Sequence, residues 1–410
     1  MCSSRRWRNL GIAAGATAAV LLAAFDLYQW AAAFASDHFH NDFTFYFAAA
    51  RIGLNHGWHS IYDLGLQQAQ LDAMRSHIGI AQLARYISPP PVAWLALPFT
   101  FAPYEVAYWL WSALLLVALA GTWYLAAPGA GRVRLIHLAA ALGWIPVIYG
   151  LQLGQPGLLV ALSVAASYAL LRSGRPFLSG LALGAIVLKP QLGFLVPVAL
   201  LAGGRLRAFA GAAVAIGALA QASAINVGMD GIAAYQQRLT FAASVAINRE
   251  LTVAPYIGDL TVTRVLQVSI AIWALALVYR FRKRSPEWLY VPALVGGLAA
   301  SPYLHIDDFV MLGLAGWLCL RVPGRPAWSW AFVLAMFIAI EGITVWGPLP
   351  LIAGEILALV LLSVAALKHH HGDAEHHGSE REHDAGLERD REHLSVDRQR
   401  ESIDQRAGPA

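Results

Sequence analysis

The chain has 410 residues, of which 58% are hydrophobic and 13% charged, and it carries a formal net charge of +4. That is far too apolar for an ordinary soluble domain. The small net charge gives no sign of a nucleic-acid partner, and the positions of the charges say more than their sum.

Uncharged runs rich in Leu, Ala and Val recur from residue 10 to residue 367. A helix needs about 20 apolar residues to cross roughly 30 Å of hydrocarbon, and it satisfies its own backbone groups there. The runs are continuous and do not alternate, which argues against a membrane β-barrel. The expectation is an all-α polytopic membrane protein. Predicted spans are 10–35, 89–101, 104–127, 135–152, 156–172, 176–201, 205–226, 264–281, 287–301, 306–321, 327–346 and 349–367. The second is short and broken by prolines, so the expected number is about 11–12.

Arg5, Arg6 and Arg8 precede the first span, and AAAFAS at its end looks like a signal-peptide cleavage site. The run is longer than a usual signal core, so a retained span is preferred. With twelve spans, Arg5, Arg6 and Arg8 share a side with Arg205 and Arg207, with Arg280, Arg282, Lys283 and Arg284, and with Arg321 and Arg325. The positive-inside bias makes that side cytoplasmic, with both termini on it. Arg132, Arg134, Arg172 and Arg175 then fall outside, against the trend.

Two long segments, 36–88 and 227–263, and a short one, 301–308, are expected on the extracytoplasmic side. Long loops of this kind are usually functional. Asp42 follows the first span closely, among Phe43, Phe45, Tyr46 and Phe47, which suit a membrane interface. A carboxylate there is suited to act as general base on a hydroxyl, and the alternative is a cap on the helix that follows. Asp37, His38 and His40 are weaker candidates. Further on, Ile61, Leu64, Leu71, Met74 and Ile78 recur at roughly helical spacing, which fits a helix on the membrane surface or one capping the bundle.

LQLGQPG, residues 151–157, reads as a cytoplasmic turn. Lys189 in GLALGAIVLKPQLGFLVPVALL stands near the middle of its span, where an ammonium costs about 2.5–3.5 kcal/mol and normally faces the bundle interior. Its expected partner is a phosphate or a buried carboxylate, with Asp26, Glu341 and Glu355 available within spans. In SPYLHIDDFVML, His305, Asp307 and Asp308 emerge on the side of Asp42. His305 suits phosphate binding or proton transfer; a metal site is weakly supported, and an acidic helix start is the plainer alternative. Cys2 and Cys319 are too differently located to pair. Residues 1–367 thus form one membrane domain, and the His-rich tail 368–410 reads as a solvated, disordered cytoplasmic segment.

Taken in order, DFTFYFAAARIGLNHGWHSIYD, SPPPVAWLALPFTFAPYEVAYWLW, LGQPGLLVALSVAASYALLRSGRPFLSGLALGAIVLKPQLGFLVPVALL and SPYLHIDDFVML resemble glycosyltransferase family 87 over residues 5 to about 365. The resemblance implies a GT-C-like bundle with a long first extracytoplasmic loop in the cell (inner) membrane. It implies transfer of a sugar, mannose by family, from a polyprenyl-phosphate donor to a glycan or glycolipid hydroxyl at the extracytoplasmic face, with inversion. Asp42 matches the family's catalytic aspartate, Lys189 and Gln191 its Lys-Pro-Gln element, and His305 its late histidine. Tyr46 and Arg51 join Lys189, Gln191 and His305 as expected substrate contacts. Ser88 departs from the family's Tyr-Pro-Pro pattern, and Tyr86 stands two residues earlier. No cofactor and no metal ligand set is expected, and membrane lipid is a partner by default. Two other readings are a GT-C transferase for arabinose or glucose, and a polytopic lipid or solute transporter. The absence of a Gly-rich phosphate loop and of repeated halves favours a lipid-linked donor and an enzyme.

Overall fold

A computed structural model describes residues 2–81, 84–322, 325 and 329–367. The tail 368–410 lies outside the described residues. The described chain is all-helical, without strands. Met1–Leu359 form one compact unit. A second begins at Val360, within the last described helix.

The helices are α1 (Cys2–Ser36), α2 (Phe43–His56), α3 (Leu64–Ala73), α4 (Pro90–Ala96), α5 (Tyr104–Ala126), α6 (Gly131–Leu142), α7 (Ile145–Leu153), α8 (Gly157–Arg172) and α9 (Pro176–Ala182). After them come α10 (Leu195–Ala202), α11 (Leu206–Ser244), α12 (Ala254–Ile257), α13 (Leu260–Arg280), α14 (Glu287–Ala299), α15 (Val310–Arg321), α16 (Ser329–Glu341), α17 (Ile343–Trp346) and α18 (Leu349–Leu367). Five stretches are long and apolar enough to cross a membrane: Leu10–Ser36, α5, α11, α13 and α18. The pair α6 and α7, bent by 55°, makes a sixth. Other expected spans are shorter apolar helices, because Pro and Gly interrupt them. Several passes through the bilayer therefore define a multi-pass membrane protein.

The contacts fix which helix ends lie together, and they revise the expected topology. The stretch Pro90–Phe101 is only 12 residues, about 18 Å of helix, and is too short to cross. Just beyond it, the Tyr104 hydroxyl lies 2.6 Å from Thr44 Oγ1 and donates to Asn41 Oδ1 at 3.1 Å. The start of α5 is therefore beside Asp42, not across the bundle from it. From there α5 runs to the other end, where Leu125 O accepts from Arg321 at 3.0 Å and Trp123 donates to Arg134 O at 2.6 Å. A second revision comes at Lys189, whose extended backbone (φ −150, ψ 76) separates two short 3-10 turns, Leu183–Leu188 and Pro190–Leu192. Residues 176–201 thus run toward the Asp42 end and back, instead of crossing once.

The two changes offset each other in the count but move the arginines. Arg172 lies 3.7 Å from Glu287 and donates to Tyr168, and Arg321 sits over the Tyr168 ring. Arg284 covers Trp288 at the start of α14. Arg134, Arg172, Arg284 and Arg321 therefore share one end of the bundle, and the exception formed by Arg132, Arg134, Arg172 and Arg175 disappears.

Close backbone approach holds the bundle. A Cβ on Gly180 would sit 1.9 Å from Ala208 O, and one on Gly211 would sit 2.2 Å from Phe177 O, so α9 and α11 touch main chain to main chain. The helix α11 is 39 residues long, about 58 Å, and kinks at Gly228, whose φ of 64 suits glycine alone. Beyond the kink it folds over the first long segment, with Gly231 against His59 and Tyr235 stacked on Tyr62 at 4.9 Å. Within the stretch 61–78, where the spacing predicts a helix, the helix covers only Leu64–Ala73, started by Asp63 accepting from Leu66 N at 2.8 Å. Leu71 is buried, and buried Gln67 donates to Ile61 O and accepts from Tyr86 N. Those bonds fasten the helix to the rest of the loop.

Candidate functional site

Asp42 is held at the start of α2, but it does not cap that helix: its side chain makes no capping bond. The neighbouring Asn41 does this work, its Oδ1 accepting from Thr44 N at 3.1 Å. The Asp42 carboxylate is left for another partner, and Gln155 donates its side-chain amide to Oδ2. Gln155 reaches there because α7 ends at Gly154 in the left-handed region (φ 70), and Pro156 follows at once. Trp111 Nε1 fastens that corner by donating to Gly154 O at 2.8 Å, and Asp42 N donates to Leu153 O at 2.9 Å. The Gly-Gln-Pro break is thus more than a turn. It lies at the Asp42 end of the bundle, and not at the opposite end as twelve crossings would place it.

Lys189 and the 301–308 segment complete the cluster. The Lys189 ammonium lies 2.5 Å from Asp307 Oδ2 and 2.5 Å from Asp308 Oδ1, all three side chains being buried. The expected buried carboxylate exists, but it is this pair and not Asp26, Glu341 or Glu355. Glu341 instead accepts from Ile145 N at 2.9 Å, and Glu355 is buried with Oε1 unpartnered. The extended backbone at Lys189 breaks the helix there, and its ammonium meets residues more than a hundred positions away. An ammonium has three donors: one bonds Asp307 Oδ2, and a second faces Asp308 Oδ1 as an ion pair. Asp308 Oδ2 also accepts from His305 N at 2.9 Å, so the acidic turn both caps itself and pairs with lysine.

Electrostatically, burial raises the Asp42 pKa above the usual carboxylate range, and the nearby Asp307 raises it further. The Gln155 bond, His305 and Lys189 oppose the rise. Burial pulls the His305 pKa down, with Asp307 opposing. Its Nε2 lies 2.9 Å from the Tyr303 hydroxyl. An imidazole and a carboxylate, both perturbed by burial, therefore stand in one cluster.

The remaining expected site residues are less tightly drawn in. Tyr46 is 3% exposed and feels the Asp42 charge. Arg51, nine residues down α2 and about 13 Å from Asp42 along the helix, is exposed and covers Phe47 at 5.9 Å. Gln191 is half-buried and makes no side-chain hydrogen bond among the described residues. Asp37 accepts from Phe39 N within its own loop, and His40 is exposed. Tyr86 donates to Pro89 O at 2.7 Å and accepts from Ala93 N at 3.2 Å, so its hydroxyl fastens the start of α4. Among the described residues no three His, Cys, Asp or Glu side chains are arranged to hold a metal ion.

Fold and site together define a multi-pass helical membrane protein with one polar, carboxylate-rich cluster at the end away from its arginine-rich turns. The model of glycosyltransferase family 87 matches residues 86–302, more than half of the chain. The chain belongs to that family and is a glycosyltransferase, which uses a sugar donor and an acceptor. The matched stretch includes Gln155 and Lys189, while Asp42 and His305 flank it. No curated protein and no solved structure matches the chain.

Proposed function

We propose that the protein transfers a sugar, mannose first among the choices, from a polyprenyl-phosphate donor to a hydroxyl of a glycan or glycolipid acceptor. The reaction takes place at the extracytoplasmic face of the cell membrane, with both termini in the cytoplasm. Asp42 takes the proton of the acceptor hydroxyl. The freed oxygen attacks the anomeric carbon from the face opposite the phosphate, the carbon–oxygen bond to phosphate breaks, and polyprenyl phosphate leaves with the electron pair. The product is inverted at that carbon. His305 and the third donor of Lys189 meet the leaving phosphate, while Tyr46, Arg51 and Gln191 contact the rest of the substrates.

The observation that carries this reading is the liberated, oriented carboxylate: Asn41 does the capping, and Gln155 donates to Asp42. A base works best when its pKa approaches the working pH, and burial moves Asp42 in that direction. The gathering of arginines at the opposite end supports the orientation, through the positive-inside bias. No separate cofactor is needed, since the sugar–phosphate bond carries the leaving group.

The test is incubation of the purified full chain with labelled polyprenyl-phosphate sugars, including mannose, glucose and arabinose, and identification of the product. The Asp42→Asn variant is expected to insert and fold while losing about a hundredfold to ten-thousandfold of its rate. Near-normal turnover by that variant, or transfer only from a soluble sugar nucleotide, defeats the proposal.

A further inference from the structure

A second polar feature lies on the same end of the bundle but outside the cluster around Asp42. Arg85 stands 4.0 Å over the ring of Phe241. Phe241 is three residues after Arg238 on α11, so the two share a helix face. The Arg85 guanidinium is thus brought alongside that of Arg238, and burial first, with the charge of Arg238 second, lowers the Arg85 pKa. Neither forms an ion pair with a carboxylate among the described residues. Arg85 Nε donates only to Ala81 O at 3.3 Å. Arg238 Nε is buried without a hydrogen-bond partner, and its Nη2 meets Gln237 at a long 3.4 Å.

Two adjacent guanidiniums without an acid are costly to assemble, and a buried unpaired N–H adds to the cost. The fold builds this pair from two distant segments, through the kink at Gly228 that lays α11 over the first loop. Its wall is aromatic: Tyr235, one turn before Arg238, stacks on Tyr62, which stacks on Tyr86 at 5.5 Å. Tyr86 then meets Tyr46 edge-on at 6.2 Å, and Tyr46 feels Asp42. The arginine pair is therefore separated from the carboxylate cluster by a layer of tyrosines.

We propose that Arg85 and Arg238 form a second anion site that binds a phosphate group. Planar guanidinium forks match tetrahedral phosphate oxygens, and each supplies paired donors to them. The phosphate is either free or carried on a lipid headgroup, since the chemistry of recognition is the same. The site stands independently of the transfer reaction.

The experiment is calorimetric titration of the purified full chain in nonionic detergent with three probes: inorganic phosphate, dihexanoyl phosphatidylglycerol, and dihexanoylglycerol, which has no phosphate. Saturable binding of either phosphate probe is expected, and Arg85→Gln with Arg238→Gln together weaken it by about tenfold or more. The Arg238→Gln single variant weakens it by a smaller factor and stands in if the double variant fails to fold. Arg282→Gln, at the opposite end, leaves it unchanged. Binding of inorganic phosphate assigns the bare anion, and binding of phosphatidylglycerol alone assigns a lipid headgroup. The proposal is overturned if neither phosphate probe saturates the wild type, if the phosphate-free lipid binds equally well, or if folded arginine variants bind like wild type.

Discussion

Replacing Gln155 by Leu removes an amide that donates to Asp42 while nearly keeping the side-chain volume. A hydrogen bond to a charged group contributes about 1.5–3 kcal/mol, so its loss slows transfer by about tenfold to a hundredfold. The loss has a characteristic pH dependence. The Gln155 bond favours the ionised carboxylate and partly offsets the rise caused by burial and Asp307. Without it the Asp42 pKa climbs further. A general base works only when ionised, so the acid limb of the rate profile moves to higher pH. The deficit is then largest at low pH and narrows as pH rises. The assay is the initial rate of transfer from a labelled polyprenyl-phosphate sugar by wild type and Gln155→Leu, across the pH range in which both stay folded. A limb that stays in place at wild-type rates would show that the bond carries nothing. A limb that moves to lower pH would reverse the electrostatic assignment.

Lys189→Met leaves Asp307 and Asp308 buried together without their cation and is expected to cost about 3–5 kcal/mol, read as a lower unfolding temperature in detergent. Adding Asp307→Asn and Asp308→Asn should restore most of that loss, and a single variant as stable as wild type would remove the ion triad from the account. Single cysteines at Arg132, Arg175 and Arg282, in a chain with Cys2 and Cys319 replaced by Ser, should react with an impermeant thiol reagent from the same membrane side. Reaction of Arg132 and Arg282 variants from opposite sides would refute the revised topology.

Much of the architecture was legible in the residues. The apolar runs specify a polytopic helical protein because no other use of so much Leu, Ala and Val satisfies the backbone inside lipid. Asp42 and Lys189 stood out because charge near or within lipid is costly and must be answered by something. Asp307 and Asp308 were visible as a pair, but their partner was not, since sequence separation hides a contact across more than a hundred residues. Gln155 was overlooked because Gly-Gln-Pro reads equally well as a turn. The signal available was a long polar amide retained between two apolar helices, at a spot where a shorter turn residue would serve. Tyr86, two residues before the departing Ser88, fastens a helix start through its hydroxyl, which its position in the sequence does not reveal.

The sequence by itself determined the class of protein, the helical class of its fold and the chemical kinds of residue available, since hydropathy and charge are local properties of the chain. Which ends of the helices meet was decided only in three dimensions. A 12-residue segment that stops short of crossing and a backbone break at Lys189 each reverse the direction of everything after them, and no hydropathy window detects a reversal. Those two events put Gln155 beside Asp42, bring Lys189 to Asp307 and Asp308, and collect the arginines at one end, because contact depends on direction of travel through the bundle and not on composition.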